Sequence, residues 1–289
     1  MQFQDGLIVT LDGMLHRPQE ALIRPDDRGV LRADGVFDVA RCVDGAVENL
    51  DKHLQRFQRS AQIMSMPQPD MARIRAAVDT ALQVWDWNVA IEATLRIVMT
   101  RGPSVPRGTQ EQPLTWVAIE PISESVMHQR RHGVRAIQLN KGFDPAERTE
   151  VSWQPSGAKS LGYTDAMAAL RYAAQQQADE VIFVTPHGAV LEGATSSVIV
   201  QQGSALITPE HPGILASTTV PRLERELAGQ SILLERRPVD SRDLASADGL
   251  WLVSSGRLLA PVIELDGCAL SRGSYDALLR EILFAHPQK

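Results

Sequence analysis

Two Asp-Gly dipeptides, Asp12-Gly13 and Asp44-Gly45, each interrupt a run of apolar and β-branched residues, and such a turn between such runs folds the chain back on itself as a hairpin. Leu7-Ile8-Val9-Thr10-Leu11 leads into the first turn and Met14-Leu15 leaves it. Val36-Phe37-Asp38-Val39-Ala40-Arg41 leads into the second, and Ala46-Val47-Glu48-Asn49-Leu50 returns. The start of the chain is therefore sheet. Leu50, Leu54, Phe57, Ala61 and Met64 then recur at steps of three and four, which predicts an amphipathic helix over 51–64 ending before Pro67. A second helix is expected over 70–85 and strands over 93–100 and 114–119, separated by a loop from Arg101-Gly102-Pro103 to Pro113. Helices on one side of a largely antiparallel sheet make an α+β layer.

The periodicity weakens between Glu120 and Gly133, so residues 121–132 read as a linker between a small N-terminal α/β domain, 1–120, and a larger C-terminal one, 133–289. In the second, a helix is expected from Thr164-Asp165 with Ala166, Met167, Leu170 and Ala174 as its buried stripe. Three β-rich runs between Glu180 and Pro209, broken by Pro186-His187-Gly188 and Gln202-Gly203-Ser204, suggest a meander. A chain of 289 residues can bury most of its apolar surface without staples.

The net charge of −6 argues against a nucleic-acid surface, which needs clustered Lys and Arg. Short runs such as Gln129-Arg130-Arg131-His132 and Glu235-Arg236-Arg237 read as solvated faces. Cys42 and Cys268 cannot make a disulfide framework, lack metal-ligand spacing, and read as small packed hydrophobes. Met1-Gln2-Phe3-Gln4-Asp5 carries no basic region followed by an apolar one, and no apolar run approaches membrane-spanning length, so the expected compartment is the cytoplasm and no membrane partner is expected.

Ser156-Gly157-Ala158-Lys159-Ser160-Leu161-Gly162-Tyr163 and Leu191-Glu192-Gly193-Ala194-Thr195-Ser196-Ser197 carry the chemistry. A lysine amine can hold pyridoxal phosphate (PLP) as a Schiff base, and an acidic side chain can keep the pyridine nitrogen protonated so that the ring accepts electrons. Alone, Lys159 reads as a surface lysine, Glu192 as an exposed strand-end carboxylate and Arg56 as a solvated helix residue; the pairing is what matters. In Pro212-Gly213-Ile214-Leu215-Ala216-Ser217-Thr218-Thr219-Val220-Pro221, Gly213 loosens a loop, Thr218 or Thr219 can cap a helix, and Pro221 fits its first turn. The backbone amides at such a helix start suit a phosphate, to which Val253-Ser254-Ser255-Gly256 could add hydroxyls.

Taken in order, Asp34-Gly35-Val36-Phe37, His53-Leu54-Gln55-Arg56, Thr100-Arg101-Gly102, Lys159 with Tyr163, Glu192-Gly193, Thr208-Pro209, Gly213-Ile214-Leu215 and Ala260-Pro261-Val262 resemble the class IV aminotransferases, the fold-type IV PLP enzymes. The resemblance implies an α+β or α/β fold, with a small N-terminal α/β sandwich and a larger β-barrel-like domain bearing helices. It also implies a homodimer with the cofactor between the domains and partner loops completing the pocket. By the resemblance Lys159 is catalytic and holds PLP, Glu192 pairs with the pyridine nitrogen, and Tyr163 serves the phenolic oxygen. Arg56, Thr218, Thr219 and Ser255 hold the phosphate.

Departures stand at Ser197, where the family usually has Asn, at Arg32-Ala33, where it has an aromatic-Gly pair, and at Ser217-Thr218-Thr219-Val220, often Gly-Ile-Thr-Arg. Asp34-Gly35-Val36-Phe37 resembles the D-amino-acid aminotransferase and lyase branches, and Phe37-Asp38-Val39-Ala40-Arg41 with Asp44-Gly45, and Arg101-Gly102 with Arg107-Gly108, are similar to aminodeoxychorismate lyases, which convert 4-amino-4-deoxychorismate to 4-aminobenzoate and pyruvate. Such a substrate carries an amino group and two carboxylates, so Arg32, Arg41, Arg101 and Arg107 are its candidate partners. An aminotransferase acting on D-amino or branched-chain acids and a non-catalytic ligand-binding relative remain as alternatives.

Overall fold

The computed structural model describes residues 5–88 and 90–285. The opening Met1-Gln2-Phe3-Gln4, read above for a leader, lies outside them. The chain divides into two compact units: one holds the chain up to Ile122 together with Ala158–Gly162, and the other holds Ser123–Gly157 and Tyr163–Ala285.

The first unit runs β1 (Leu7–Thr10), β2 (Leu15–His16), α1 (Arg28–Arg32), β3 (Gly35–Val43), β4 (Ala46–Val47), α2 (Leu50–Ile63), α3 (Met71–Val84), β5 (Glu92–Thr100) and β6 (Leu114–Pro121). Both Asp-Gly turns close antiparallel hairpins, β1–β2 and β3–β4, as expected. The sheet has the order β2-β1-β6-β5-β3-β4 and is antiparallel throughout. Leu54, Phe57 and Ala61 of α2 and Ile74, Val78 and Ala81 of α3 meet Val36, Leu95, Ile97 and Ile119 of the sheet in one apolar core. Each fully buried Leu, Ile or Phe contributes about 1.5–3 kcal/mol there.

The second unit opens with α4 (Glu124–His132), followed by β7 (Val134–Asn140), α5 (Ala146–Thr149), α6 (Thr164–Gln175), β8 (Glu180–Val184), β9 (Val190–Gly193), β10 (Ser197–Gln202) and β11 (Ala205–Pro209). It continues through α7 (Thr219–Ala228), β12 (Leu234–Arg237), β13 (Gly249–Ser254), β14 (Leu258–Leu265), β15 (Cys268–Ala269) and α8 (Asp276–Phe284). Among the described residues its sheet has nine strands in the order β12-β11-β10-β13-β14-β7-β8-β9, with β15 added to β14. It is mixed: β11–β12, β14–β7 and β7–β8 are parallel. The sheet curls, so that β9 at one end comes beside β10 and β11 near the other, a half-barrel.

Five expectations are corrected. The stretch 121–132 is no linker: Ser123 caps α4 through its hydroxyl, which accepts from the Val126 amide (3.3 Å). Arg130 in that helix is 2% exposed, although its Arg-Arg-His context reads as solvated. The span 180–209 is not a meander, because its middle run breaks at 194–196 and the halves form two hairpins, β8–β9 and β10–β11. In α6 the buried residues are Ala169 and Ala173, while Met167 and Ala174 are exposed. Of the cysteines, Cys42 is buried, which pushes its thiol pKa up, but Cys268 is exposed on β15. Among the described residues no helix is long and apolar enough to cross a membrane.

Candidate active site

Lys159 belongs to the first unit because its backbone is paired there. Its carbonyl accepts from the Phe37 amide (3.1 Å), its own amide donates to Ser60 Oγ (3.1 Å), and the Leu161 amide donates to the Gly35 carbonyl (2.9 Å). The segment thus lies along the start of β3, with Val36 and Ser160 bridged. Gly35 permits the approach: a Cβ there would sit 2.6 Å from Leu161 Cδ1 and 2.5 Å from the Met99 carbonyl oxygen. Lys159 itself is half-buried, and its Nζ stands 4.5 Å from the centre of the Phe37 ring.

On α2, Arg56 is not the solvated residue its helix position suggests. It grips Asp38 of β3 with two donors, Nε to Oδ2 (2.8 Å) and Nη2 to Oδ1 (2.7 Å). His53, one turn earlier, places Nδ1 2.7 Å from the same Oδ1. Burial pushes the Asp38 carboxyl up, yet hydrogen bonds from Arg56 and His53 outweigh it and hold the pKa at about 2. A carboxyl lowered in this way contributes stability that is complete above its ordinary value of 3.8 and is lost as the pH falls toward 2. Acid unfolding followed by tryptophan fluorescence is expected to show a loss of about 2 kcal/mol in that window, absent from Asp38→Asn.

The second unit carries the other expected residues. Glu192 lies in β9, half-buried, and its Oε2 accepts from the Leu215 amide (3.4 Å). The Leu215 loop is anchored by His211: its Nδ1 accepts from the Gly213 amide (3.1 Å), and its Nε2 faces Asp144 Oδ1 (3.1 Å). Gly213 does more than loosen this loop, since a Cβ on it would fall 2.2 Å from Pro145 Cβ. Thr218 is the residue before α7, and its Oγ1 lies 3.2 Å from Ser255 Oγ. The expected threonine cap is corrected: Ser217 Oγ accepts from the Thr219 and Val220 amides (3.2 and 3.1 Å). Tyr163 precedes α6 and is half-buried. A cavity of about 200 Å³ beside these residues is lined by Leu191, Ser197, Thr208, His211, Leu215 and Ser217.

The four arginines separate into two kinds. Arg41 is 4% exposed and donates from Nε to Glu92 (2.7 Å). Arg101 spends Nε on Asp34 (2.8 Å), Nη1 on the Ser65 carbonyl and Glu111 (2.9 and 3.1 Å), and Nη2 on the Met64 carbonyl (2.6 Å). Both therefore lie beside acids of their own unit. Arg32, at the end of α1, and Arg107, in the loop before β6, are exposed.

Sequence reasoning missed Arg257 and Glu180. They form a buried ion pair in the second unit, with Gln129 Oε1 3.1 Å from Arg257 Nε. Arg130 Nε donates to the Arg257 carbonyl (3.0 Å) and its Nη2 to the Gly256 carbonyl (2.6 Å), fixing the turn that carries Ser255. No local pattern announces this set, because its members lie on separate elements.

Each unit taken by itself offers donor types that suit a phosphorylated pyridine aldehyde: the first has an amine on a pinned backbone and an oriented arginine, and the second has a half-buried carboxylate and two hydroxyls together at a helix start.

Comparison with known proteins agrees. Residues 35–265 match the family model for amino-transferase class IV. The bifunctional aminodeoxychorismate lyase / D-amino acid transaminase of Mycobacterium tuberculosis is 37% identical over 96% of this chain and 98% of its own length. A Mycobacterium tuberculosis aminotransferase solved with alpha-ketoglutarate and PMP superposes with a TM-score of 0.90, at 37% identity over 96% of this chain and 98% of its own, and the protein was also solved in a PLP-bound form. A fold IV-transaminase from Curtobacterium pusillum gives 0.88 at 32% identity over 97% of this chain and 99% of its own. The small antiparallel-sheet domain and the larger half-barrel are the fold-type IV architecture, and the chain belongs to the class IV aminotransferase family of enzymes.

Proposed function

We propose that this chain is a PLP-dependent enzyme that converts 4-amino-4-deoxychorismate to 4-aminobenzoate and pyruvate and also transfers the amino group of D-amino acids to a 2-oxo acid. The observation that carries the PLP reading is Lys159, whose main chain is held by β3 and Ser60 while its amine is carried against the Phe37 ring. The pairing of two reactions draws support from the bifunctional relative, similar over nearly the whole chain.

Lys159 and Arg56, with Glu192, Tyr163, Thr218, Thr219 and Ser255, are the residues assigned to hold PLP. When bound, PLP supplies an electron sink for the bond broken at the carbon bearing the substrate's amino group. Arg56 and the Thr218 and Ser255 hydroxyls bind the phosphate; Glu192 keeps the pyridine nitrogen protonated. Lys159 Nζ takes the proton from the substrate carbon that bears nitrogen. In the lyase reaction the enolpyruvyl group then leaves with its C–O bond pair, takes up a proton as pyruvate, and the ring becomes aromatic. In transamination Lys159 returns the proton at the cofactor's carbon instead. Arg32, Arg41, Arg101 and Arg107 are the arginines assigned to the substrate carboxylates. A cytoplasmic homodimer goes with this reading, and light scattering on the purified chain tests the dimer.

Glu192→Gln is expected to lower kcat on the order of 10²-fold in both reactions while PLP still binds, because a neutral amide no longer holds the pyridine proton. The deciding experiment supplies 4-amino-4-deoxychorismate alone, and separately a D-amino acid with 2-oxoglutarate, and follows 4-aminobenzoate, pyruvate and glutamate. Equimolar 4-aminobenzoate and pyruvate without an acceptor, together with glutamate in the second arm, is the expected result. Absence of either product set removes that half of the assignment.

A further inference from the structure

We propose that Asp38 is a positioning residue for the cofactor's phosphate: its buried carboxylate, steadied by His53, fixes the direction in which Arg56 presents its guanidinium. The inference rests on the assignment of Arg56 to the phosphate and asks what makes that arginine effective.

Asp38 alternates with Phe37 along β3, so the two side chains leave opposite faces of the strand. Phe37 goes to the Lys159 amine and Asp38 goes to α2. The Asp38 side chain is 1% exposed and every polar contact is short. Oδ1 accepts from the Val39 amide (2.8 Å), from His53 Nδ1 (2.7 Å) and from Arg56 Nη2 (2.7 Å), and Oδ2 accepts from Arg56 Nε (2.8 Å). An ionised carboxylate only accepts, so the proton in the histidine contact sits on His53 Nδ1.

Two parallel N–H···O bonds fix the plane of a guanidinium, whereas a single contact leaves it free to turn. The pair that Arg56 uses for this purpose is Nε with one Nη, which aims the remaining edge in one direction. His53 and Arg56 are three residues apart on α2 and so share a helix face, and both close on the same carboxylate. Arg56 itself is 14% exposed in its side chain, between the burial of Asp38 and the open surface. Such an arginine arrives at an anion already oriented, with its rotamer entropy spent in folding.

The test compares PLP with pyridoxal, which lacks the phosphate. Full-length apo protein is titrated with each vitamer, for the wild type, Asp38→Asn, Asp38→Glu and Arg56→Gln, with thermal melts recorded alongside. The expected result is a dissociation constant for PLP raised about tenfold or more in Asp38→Asn, with pyridoxal altered less than about twofold. Adding Arg56→Gln to Asp38→Asn is expected to cost little more, since the two act through one contact. Asp38→Glu keeps the charge but displaces it by one methylene, and it is expected to show the same selective loss should Asp38→Asn not fold. The ³¹P resonance of bound PLP is expected to shift in the Asp38 variants. Equal losses for both vitamers, or unchanged PLP affinity, would overturn the inference alone. A wild type that takes up neither vitamer would overturn the cofactor assignment, and this inference with it.

Discussion

Lys159→Ala is expected to lower turnover in both assigned reactions by at least about 10³-fold and to abolish the borohydride-reducible adduct with PLP, while leaving the melting temperature of the apo protein nearly unchanged. The two halves of that expectation have different origins. The backbone at position 159 ties the segment down: the amide donates to Ser60 Oγ and the carbonyl accepts from the Phe37 amide. Alanine keeps both bonds and the pairing of Leu161 with Gly35. It removes the amine that stands against the Phe37 ring, to which the covalent hold and the proton transfer are assigned. A variant that melted far below the wild type would instead make Lys159 a packing residue, and a variant with full turnover would move the chemistry to another side chain. Intact-mass measurement after borohydride reduction, followed by peptide mapping, separates these outcomes.

Position 159 was legible because its neighbours are small and weakly polar and because Glu192 follows at the end of a β-rich run. The partners that give these residues their surroundings were not. Asp38 sits in the run that leads into the second Asp-Gly turn and received no role from sequence, yet β3 is an interior strand flanked by β5 and β4 and covered by α2. Pairing with Arg56 and His53, together with the Val39 amide, makes its burial tolerable, and the pairing joins a strand to a helix through side chains that sequence does not orient. The surroundings of Arg41 and Arg101 were hidden for a related reason. Each is matched by an acid remote in sequence, Glu92 and Asp34, and charge counting along the chain cannot see the neutralisation.

The elements themselves were legible wherever local chemistry and tertiary burial agree. Asp-Gly turns require positive φ, and Asp44 and Gly45 adopt it, at 46° and 78°. The α2 stripe at Leu54, Phe57 and Ala61 is buried as its spacing requires. Disagreement arose where polar residues are buried. The α4 segment lacks an apolar stripe, and its buried contact is made by Arg130, whose guanidinium binds two carbonyls and lies 5.5 Å from the centre of the Phe284 ring. In α6 the buried face is built from alanines, so residues one step away along the helix, Met167 and Ala174, carry more hydrophobic signal than their position warrants.

Arg257→Met is expected to destabilise the second unit by about 3–5 kcal/mol, because it strands the Glu180 carboxylate, 3% exposed, without its countercharge. For a unit of this size that corresponds to a melting temperature lower by ~10 °C. The cost belongs to the broken pair and not to the loss of an attraction as such, so Arg257→Met combined with Glu180→Leu is expected to recover most of it. The same substitution reaches Ser255, assigned above to the phosphate, through the backbone. The Arg257 carbonyl and the Gly256 carbonyl are held by Arg130, the Arg257 amide donates to Ser254 Oγ (3.2 Å), and Leu258 follows at a φ of 62°. Ser255 stands inside this frame, 3.2 Å from Thr218 Oγ1. Loosening the side chain of Arg257 is therefore expected to loosen a residue assigned to the phosphate, so that PLP affinity falls with stability, whereas pyridoxal affinity falls less. Calorimetry of the single and double variants, with both vitamers titrated into each, distinguishes a frame that serves only the core from one that also presents Ser255. If the double variant regained stability but not PLP affinity, the arginine itself, and not the relief of Glu180, would be what keeps the turn in place.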